Sequence, residues 1–386
     1  MKRLFHLATI LVLTAASLGC SKKSEEAAPP TASGVVSVPL VAASVPAVAS
    51  SAKAGWGDPG AAFLKGAPFT IFMHADTPLR LLKGKSLDKE SDVHMSLDRV
   101  RKGQLSAFAA VLFVDSKYHE QGAPYYCQRA TKKIDSVLSE HADVLRVGLT
   151  SGDFEKNWKT GHLTWFRTLE GSWCLQGKLA SIDEYYATGI RMIGLTWQDD
   201  HDFATSWTYY GHVGLTALGR KAVQRMNELG IIVDVSHMSD RAVEDVLSVA
   251  KAPVFASHSN ARAICDHPRN LKDDQIRSIA ATGGVVGANF YALHLRKKGK
   301  ATLADVVQHI KHIRDVGGIE SVGLGSDFDG ISKGPEGLET AAELPKLRKA
   351  LEDEGFTAAE IAAIFGGNFL RAFGEVERKA RELGGS

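Results

Sequence analysis

The sequence is short of cysteine, has no cysteine pair at metal-binding spacing, carries no real surplus of charge, and past residue 20 has no long apolar run. Four cysteines in 386 residues exclude a small disulfide-built scaffold. Without a Cys-x-x-Cys, a cysteine-held zinc site is excluded as well. A formal charge of +2 with no concentrated basic stripe gives a nucleic-acid partner no support. No Gly-x-Gly-x-x-Gly or phosphate loop follows the first strand-like segment, which argues against the nucleotide sites of open α/β sheets. Nothing beyond residue 20 approaches the roughly 20 consecutive apolar residues needed to span a bilayer. Otherwise the composition, 44% hydrophobic and 23% charged, is that of a globular domain.

What is present begins at the N-terminus. Lys2-Arg3 precede an apolar stretch from Leu4 to Ala16, followed by Ser17-Leu18-Gly19-Cys20. Residues 1–19 read as an export signal. The last four residues resemble the lipobox of bacterial lipoproteins, although the leucine preferred three residues before the cysteine stands instead at Leu18. The expectation is a chain lipidated on Cys20 and anchored to a bacterial membrane on its extracytoplasmic side, in the periplasm or at the cell surface. Without residues 1–19, 44 basic residues face 44 acidic ones. Residues 20–55, rich in Ala, Pro, Ser and Val, cannot bury a core and read as a tether. The folded domain then covers 56–386. With Cys20 lipidated, Cys127, Cys174 and Cys265 allow one bridge and one free thiol, or no bridge.

From residue 68 onward, short segments rich in Val, Ile, Leu, Phe and Ala alternate with helical patterns. Strands are expected at 68–74, 105–114, 162–169, 190–196, 230–236, 253–257, 283–290 and 321–326. Helices are expected at 218–229, 240–250, 272–281 and 303–316, with Gly230, Gly283 and Gly317 as stops. Eight strands with intervening helices predict an α/β fold, a (β/α)8 TIM-type barrel. Residues 115–161 exceed a simple crossover and read as an insertion with a helix at 130–145. Residues 331–386 read as a helical closure.

The chemistry sits at the ends of the apolar segments: His74 and Asp76, Glu170, His237, His258 and Asp327. In a parallel barrel these ends share one face. His74 and Asp76, two apart on an extended segment, point the same way. A lone buried histidine is ordinarily a satisfied core residue, but His237 and His258 at successive strand ends are better explained by metal. Glu170 has two oxygens and can bridge two cations. His74, Asp76 and Glu170 then make one site, and Glu170, His237 and His258 the other. Such ligands suit Zn²⁺ and also accept Mn²⁺, Co²⁺ or Fe²⁺. Two ions sharing a hydroxide polarise and attack an amide carbonyl, with Asp327 moving the proton. Asp329 is expected to brace its loop.

Taken in order, these motifs resemble the membrane dipeptidase (renal dipeptidase) family, a metal-dependent hydrolase branch of the amidohydrolase-like barrels. The resemblance runs over about residues 68–376. It rests on His74-Ala75-Asp76-Thr77-Pro78-Leu79, Glu170-Gly171, Asp234-Val235-Ser236-His237, Ser257-His258-Ser259 through Arg269-Asn270, and Asn289-Phe290-Tyr291. It continues through Gly325-Ser326-Asp327-Phe328-Asp329-Gly330 and Gly367-Asn368-Phe369-Leu370-Arg371. It implies a dipeptide substrate, two zinc ions bridged by the glutamate, and Arg269 binding the substrate's terminal carboxylate through its guanidinium fork. Dimerisation is common in that family. One position departs: Trp197 stands where better-studied members carry a histidine that contacts the substrate carbonyl. His201, nearby, reads as an exposed loop histidine. Two other readings share these residues. One is a binuclear amidohydrolase acting on N-acyl amino acids or β-lactams; the other is a catalytically silent binding lipoprotein.

Overall fold

The protein is seen here in a computed structural model that describes residues 68–115, 118–209 and 211–385. The export signal 1–19, Cys20, the tether and the domain start at residue 56 lie outside the described residues.

Among the described residues, ten parallel strands form one sheet: β1 (Ile71–Phe72), β2 (His74–Ala75), β3 (Ala107–Phe113), β4 (Leu145–Val147), β5 (Leu163–Glu170), β6 (Ile190–Gly194), β7 (Ile232–Asp234), β8 (Val254–Ala256), β9 (Val285–Asn289) and β10 (Val322–Phe328). The pairing runs β1-β3-β5-β6-β7-β8-β9-β10-β2, with β4 attached to β5 off that path. The path begins and ends on one stretch of chain. β1 pairs with β3 on one side, β2 pairs with β10 on the other, and only Met73 separates the two halves. The predicted first strand is thus a single stave bent at Met73, whose N–H donates to the Leu324 carbonyl at 2.9 Å. Eight staves close the barrel, as the alternation predicts.

Two local expectations are corrected. The insertion helix runs His119–Glu140 rather than to residue 145, because Leu145–Val147 is already strand. That strand pairs with Leu163–Trp165, alongside β5 ahead of the point where β6 joins it at Arg167. The helix Leu303–Gly317 includes Gly317, and it is Gly318, with φ 85°, that ends it.

Side-chain caps set several helix starts at the rim. Thr216 Oγ1 accepts from the Gly219 N–H at 3.0 Å, and Ser239 Oγ from the Ala242 N–H at 3.1 Å, each satisfying an otherwise orphaned donor. Helix Asn368–Glu382 brings Phe369 to 5.5 Å from Phe166 and 6.1 Å from Phe255, ring to ring. These rings belong to a buried cluster with Ile71, Met73, Ala109, Val111 and Ile232. The amino-terminal half of the barrel is therefore packed with side chains, and polar chemistry is confined to the carboxyl end. Cys127 on the insertion helix is bonded to Cys174, and Cys265 is buried and free.

Candidate active site and metal centre

The barrel brings together the residues that the sequence leaves far apart. His74 lies on β2 and Glu170 ends β5. His237 and His258 fall just beyond β7 and β8, while Asp327 lies within β10 rather than after it. Asp76 opens helix Thr77–Leu82, but its side chain makes no cap bond there, so the carboxylate is available to a ligand.

His74 Nε2 lies 3.4 Å from Asp76 Oδ2 and 3.6 Å from Glu170 Oε2. The other oxygen, Glu170 Oε1, lies 3.0 Å from His237 Nε2 and 3.5 Å from His258 Nε2. The two imidazole nitrogens are 2.9 Å apart. His74, Asp76 and Glu170 form one converging donor group, and Glu170, His237 and His258 a second. His74 Nε2, Asp76 Oδ1 and His237 Nδ1 are buried with no hydrogen-bond partner among the described residues. Buried polar atoms are seldom left so, and nitrogen with carboxylate donors is a set that zinc accepts. The residues fit a metal.

A third group, His74, Asp234 and His258, is equally compact, but Asp234 is already committed. Its Oδ1 accepts from the backbone N–H of Ser236 and Ser257 at 3.0 and 2.8 Å. Its Oδ2 accepts the Ser257 hydroxyl at 2.5 Å. Ser257 Oγ is in turn 2.8 Å from His258 Nδ1. Asp234 therefore orients His258 through Ser257 and leaves His258 Nε2 facing Glu170. In the sequence, the signal for Asp234 is a carboxylate within the apolar run Ile231-Ile232-Val233-Asp234-Val235.

The electrostatics match this division. Burial lowers the pKa of His74, but Glu170 and Asp76 outweigh it and hold the imidazole well above its ordinary value. Positive charge is favoured between those carboxylates. Burial pushes His237 down to about 4 and His258 well below its ordinary value, so both are neutral donors. Glu170 stays ionised despite burial, held down by the three histidines. Asp327 is pushed up to about 8 by burial, with Asp76 and Glu170 adding to the effect against His74 and Arg269.

Asp327 is held by an unusual stretch of backbone. Ser326, Asp327 and Asp329 have φ of 69°, 72° and 69°, a left-handed conformation that costs non-glycine residues of order 1 kcal/mol each. Asp329 braces the loop, as expected. Its Oδ2 accepts from Thr77 Oγ1 at 2.7 Å and its Oδ1 from the His94 N–H at 2.6 Å. Arg80 Nε donates to its carbonyl at 2.7 Å. Asn289 Nδ2 donates to Asp327 Oδ2 at 3.2 Å, a contact with no signal in the sequence pattern.

Arg269 is buried, at 4% exposure. It donates to Ser259 Oγ at 2.8 Å and to the His258 carbonyl at 2.9 Å. Its Nε has no partner among the described residues. Burial pulls its pKa down to about 10. A guanidinium desolvated this far without a carboxylate bonded to it suits an anionic ligand.

Trp197 follows β6, its ring 4.8 Å from Phe113 and 6.3 Å from His237. His201 is not an exposed loop residue. Its Nε2 is buried without a partner among the described residues, its ring meets Trp173 edge-on at 4.6 Å, and burial lowers its pKa to about 4.

Residues 64–386 match the profile of the membrane dipeptidases, peptidase family M19. The chain belongs to the membrane dipeptidase family. An uncharacterised dipeptidase of Schizosaccharomyces pombe is 36% identical over 307 residues, covering 75% of this chain and 74% of that one. The Aspergillus oryzae dipeptidase aclJ is 34% identical over 297 residues, 74% and 70% of the two chains. The crystal structure of the probable dipeptidase PvdM from Pseudomonas aeruginosa superposes with a TM-score of 0.77 at 25% identity, over 82% of this chain and 97% of that one. The membrane dipeptidase described here is accordingly a metallopeptidase-type hydrolase on a TIM-type barrel.

Proposed function

We propose that this dipeptidase hydrolyses the amide bond of dipeptides with a free C-terminal carboxylate, using two metal ions held in one centre, with zinc the best match to the donors. The sharing of Glu170 between two three-donor groups carries the reading. His74, Asp76 and Glu170 would hold one ion, and Glu170, His237 and His258 the other. When bound, such a pair supplies Lewis-acid polarisation of the amide carbonyl and a water that ionises near neutral pH. The chain's own residues do the rest. Asn289 engages Asp327 Oδ2, leaving Oδ1 to take the proton from the attacking water and pass it to the departing amine. Arg269 orients the substrate by its carboxylate, and the Asp234–Ser257 pair keeps His258 turned toward Glu170.

The same reading places the catalytic domain, from residue 56, outside the cytoplasm on the tether 20–55, lipidated at Cys20. The Cys127–Cys174 bond supports it, because such bonds persist in oxidising compartments. Membrane fractionation of Cys20→Ala tests the anchor. Light scattering tests the pairing of two copies that the family resemblance suggests.

The central test is dipeptide hydrolysis with and without a chelator, for the wild type and for Asp327→Asn. Chelation should abolish activity and zinc restore it. Asp327→Asn should keep about two ions per chain and lose on the order of 10²–10⁴ in turnover. Active protein carrying no transition metal would sink the reading.

A further inference from the structure

The loop carrying Arg269 is gripped by a second arginine. Arg262 Nε donates to the Asn270 carbonyl at 2.8 Å, and Arg262 Nη2 donates to the Pro268 carbonyl at 2.8 Å. These are the residues on either side of Arg269, so one guanidinium spans the backbone that sets the other's position. The Arg262 fork is itself anchored. Nη1 and Nη2 donate to Asp240 Oδ2 and Oδ1 at 2.8 and 2.7 Å, a bidentate pair. Asp240 is the first residue of helix Asp240–Val249, where the helix dipole favours a carboxylate. It also takes Lys272 Nζ at 2.8 Å and Gln275 Nε2 at 3.2 Å. The Arg262 N–H closes the base of the loop on the Leu271 carbonyl at 2.7 Å.

From this geometry we propose that Arg262, anchored on Asp240, is a positioning residue that sets the selectivity for a free C-terminal carboxylate by holding the Arg269 backbone in place. The inference rests on the carboxylate role proposed for Arg269. Among the described residues, the Arg269 head group has only Ser259 Oγ and the His258 carbonyl to fix it. A guanidinium that must meet a carboxylate in two parallel bonds tolerates little displacement, and a misplacement of about 1 Å can cost on the order of 10²-fold. Lysine at 262 would keep the charge but could not serve both carbonyls and both Asp240 oxygens, since it lacks the planar fork.

The test compares an alanyl-alanine dipeptide with its C-terminal amide on the metal-loaded full chain, for the wild type, Arg262→Ala, Arg262→Lys, Asp240→Asn and Arg269→Met, with a thermal melt for each. In Arg262→Ala and Arg262→Lys, the preference for dipeptide over amide should fall about tenfold or more. The loss should appear in the dipeptide's KM, with kcat within about threefold and amide hydrolysis little changed. Asp240→Asn should move the preference the same way by a smaller factor. If Arg262→Ala does not fold, Arg262→Lys and Asp240→Asn carry the test. A wild-type preference in both of those, folded, overturns the proposal. Should Arg269→Met collapse the preference while they keep it, only the positioning inference fails. Should Arg269→Met leave it intact, the carboxylate reading fails and this inference with it.

Discussion

Asp234 accepts the hydroxyl of Ser257 at 2.5 Å, and neither residue is among the five candidate metal donors. Through Ser257, 2.8 Å from His258 Nδ1, the carboxylate sets the orientation of a ring two hydrogen bonds away. Outer partners of this kind typically contribute 10–100-fold to metal affinity. Asp234→Asn should weaken zinc retention by about that factor in chelator competition, with the fold intact by circular dichroism. Wild-type retention would remove Asp234 from the centre.

Gly330 occupies a position where a Cβ would run into Asp76 Oδ2 and come within 2.7 Å of Asp327 Oδ1. The missing side chain keeps those two carboxylates at their spacing. Gly330→Ala should cost on the order of 10²-fold in kcat/KM, together with roughly 1–3 kcal/mol of stability from overpacking. Steady-state kinetics and a denaturant melt measure the two effects. Unchanged turnover would show that this spacing does not matter.

Burial raises the pKa of Asp240, but the bonds from Arg262 and Lys272 outweigh it and hold the carboxyl below its ordinary value. A folded-state pKa below the unfolded one stabilises fully above the unfolded value of about 3.9, and the contribution is lost as pH falls through the folded value. The melting-temperature gap between wild type and Asp240→Asn should therefore hold steady from about pH 5 to 8 and narrow below about pH 4. A gap that stays constant into acid would mean that the Asp240 charge contributes nothing.

The Cys127–Cys174 bond spans a sequence separation of 47 residues. Chain-entropy reasoning puts its stabilisation at up to about 4 kcal/mol. The double variant Cys127→Ser, Cys174→Ser should melt lower than wild type, and a reductant should lower wild type to the same extent without affecting the variant. A wild-type melt insensitive to reductant would contradict the pairing.

Periodicity alone determined most of this molecule. Apolar runs with interleaved helical patterns are enough for eight staves, because buried parallel strands must be apolar on both faces. Five of the eight runs also lead directly into a polar residue or pair, so His74, Asp76, Glu170, His237, His258 and Asp327 were legible as a set. What escaped was short or depended on neighbours. The three-residue Leu145–Val147 is too brief to show a period, and the bend at Met73 shows only once β2 pairs with β10. Only the tertiary structure decided that the oxygens of Glu170 diverge to separate histidines. The same holds for Asp234, which acts through Ser257, and for His201, whose Nε2 is buried against Trp173. Arg262 spanning the backbone on both sides of Arg269 is likewise absent from the sequence pattern. A side-chain pattern records which face a residue takes along its own segment. It does not record which atoms of distant segments approach within a hydrogen bond, since barrel closure and loop packing set those distances.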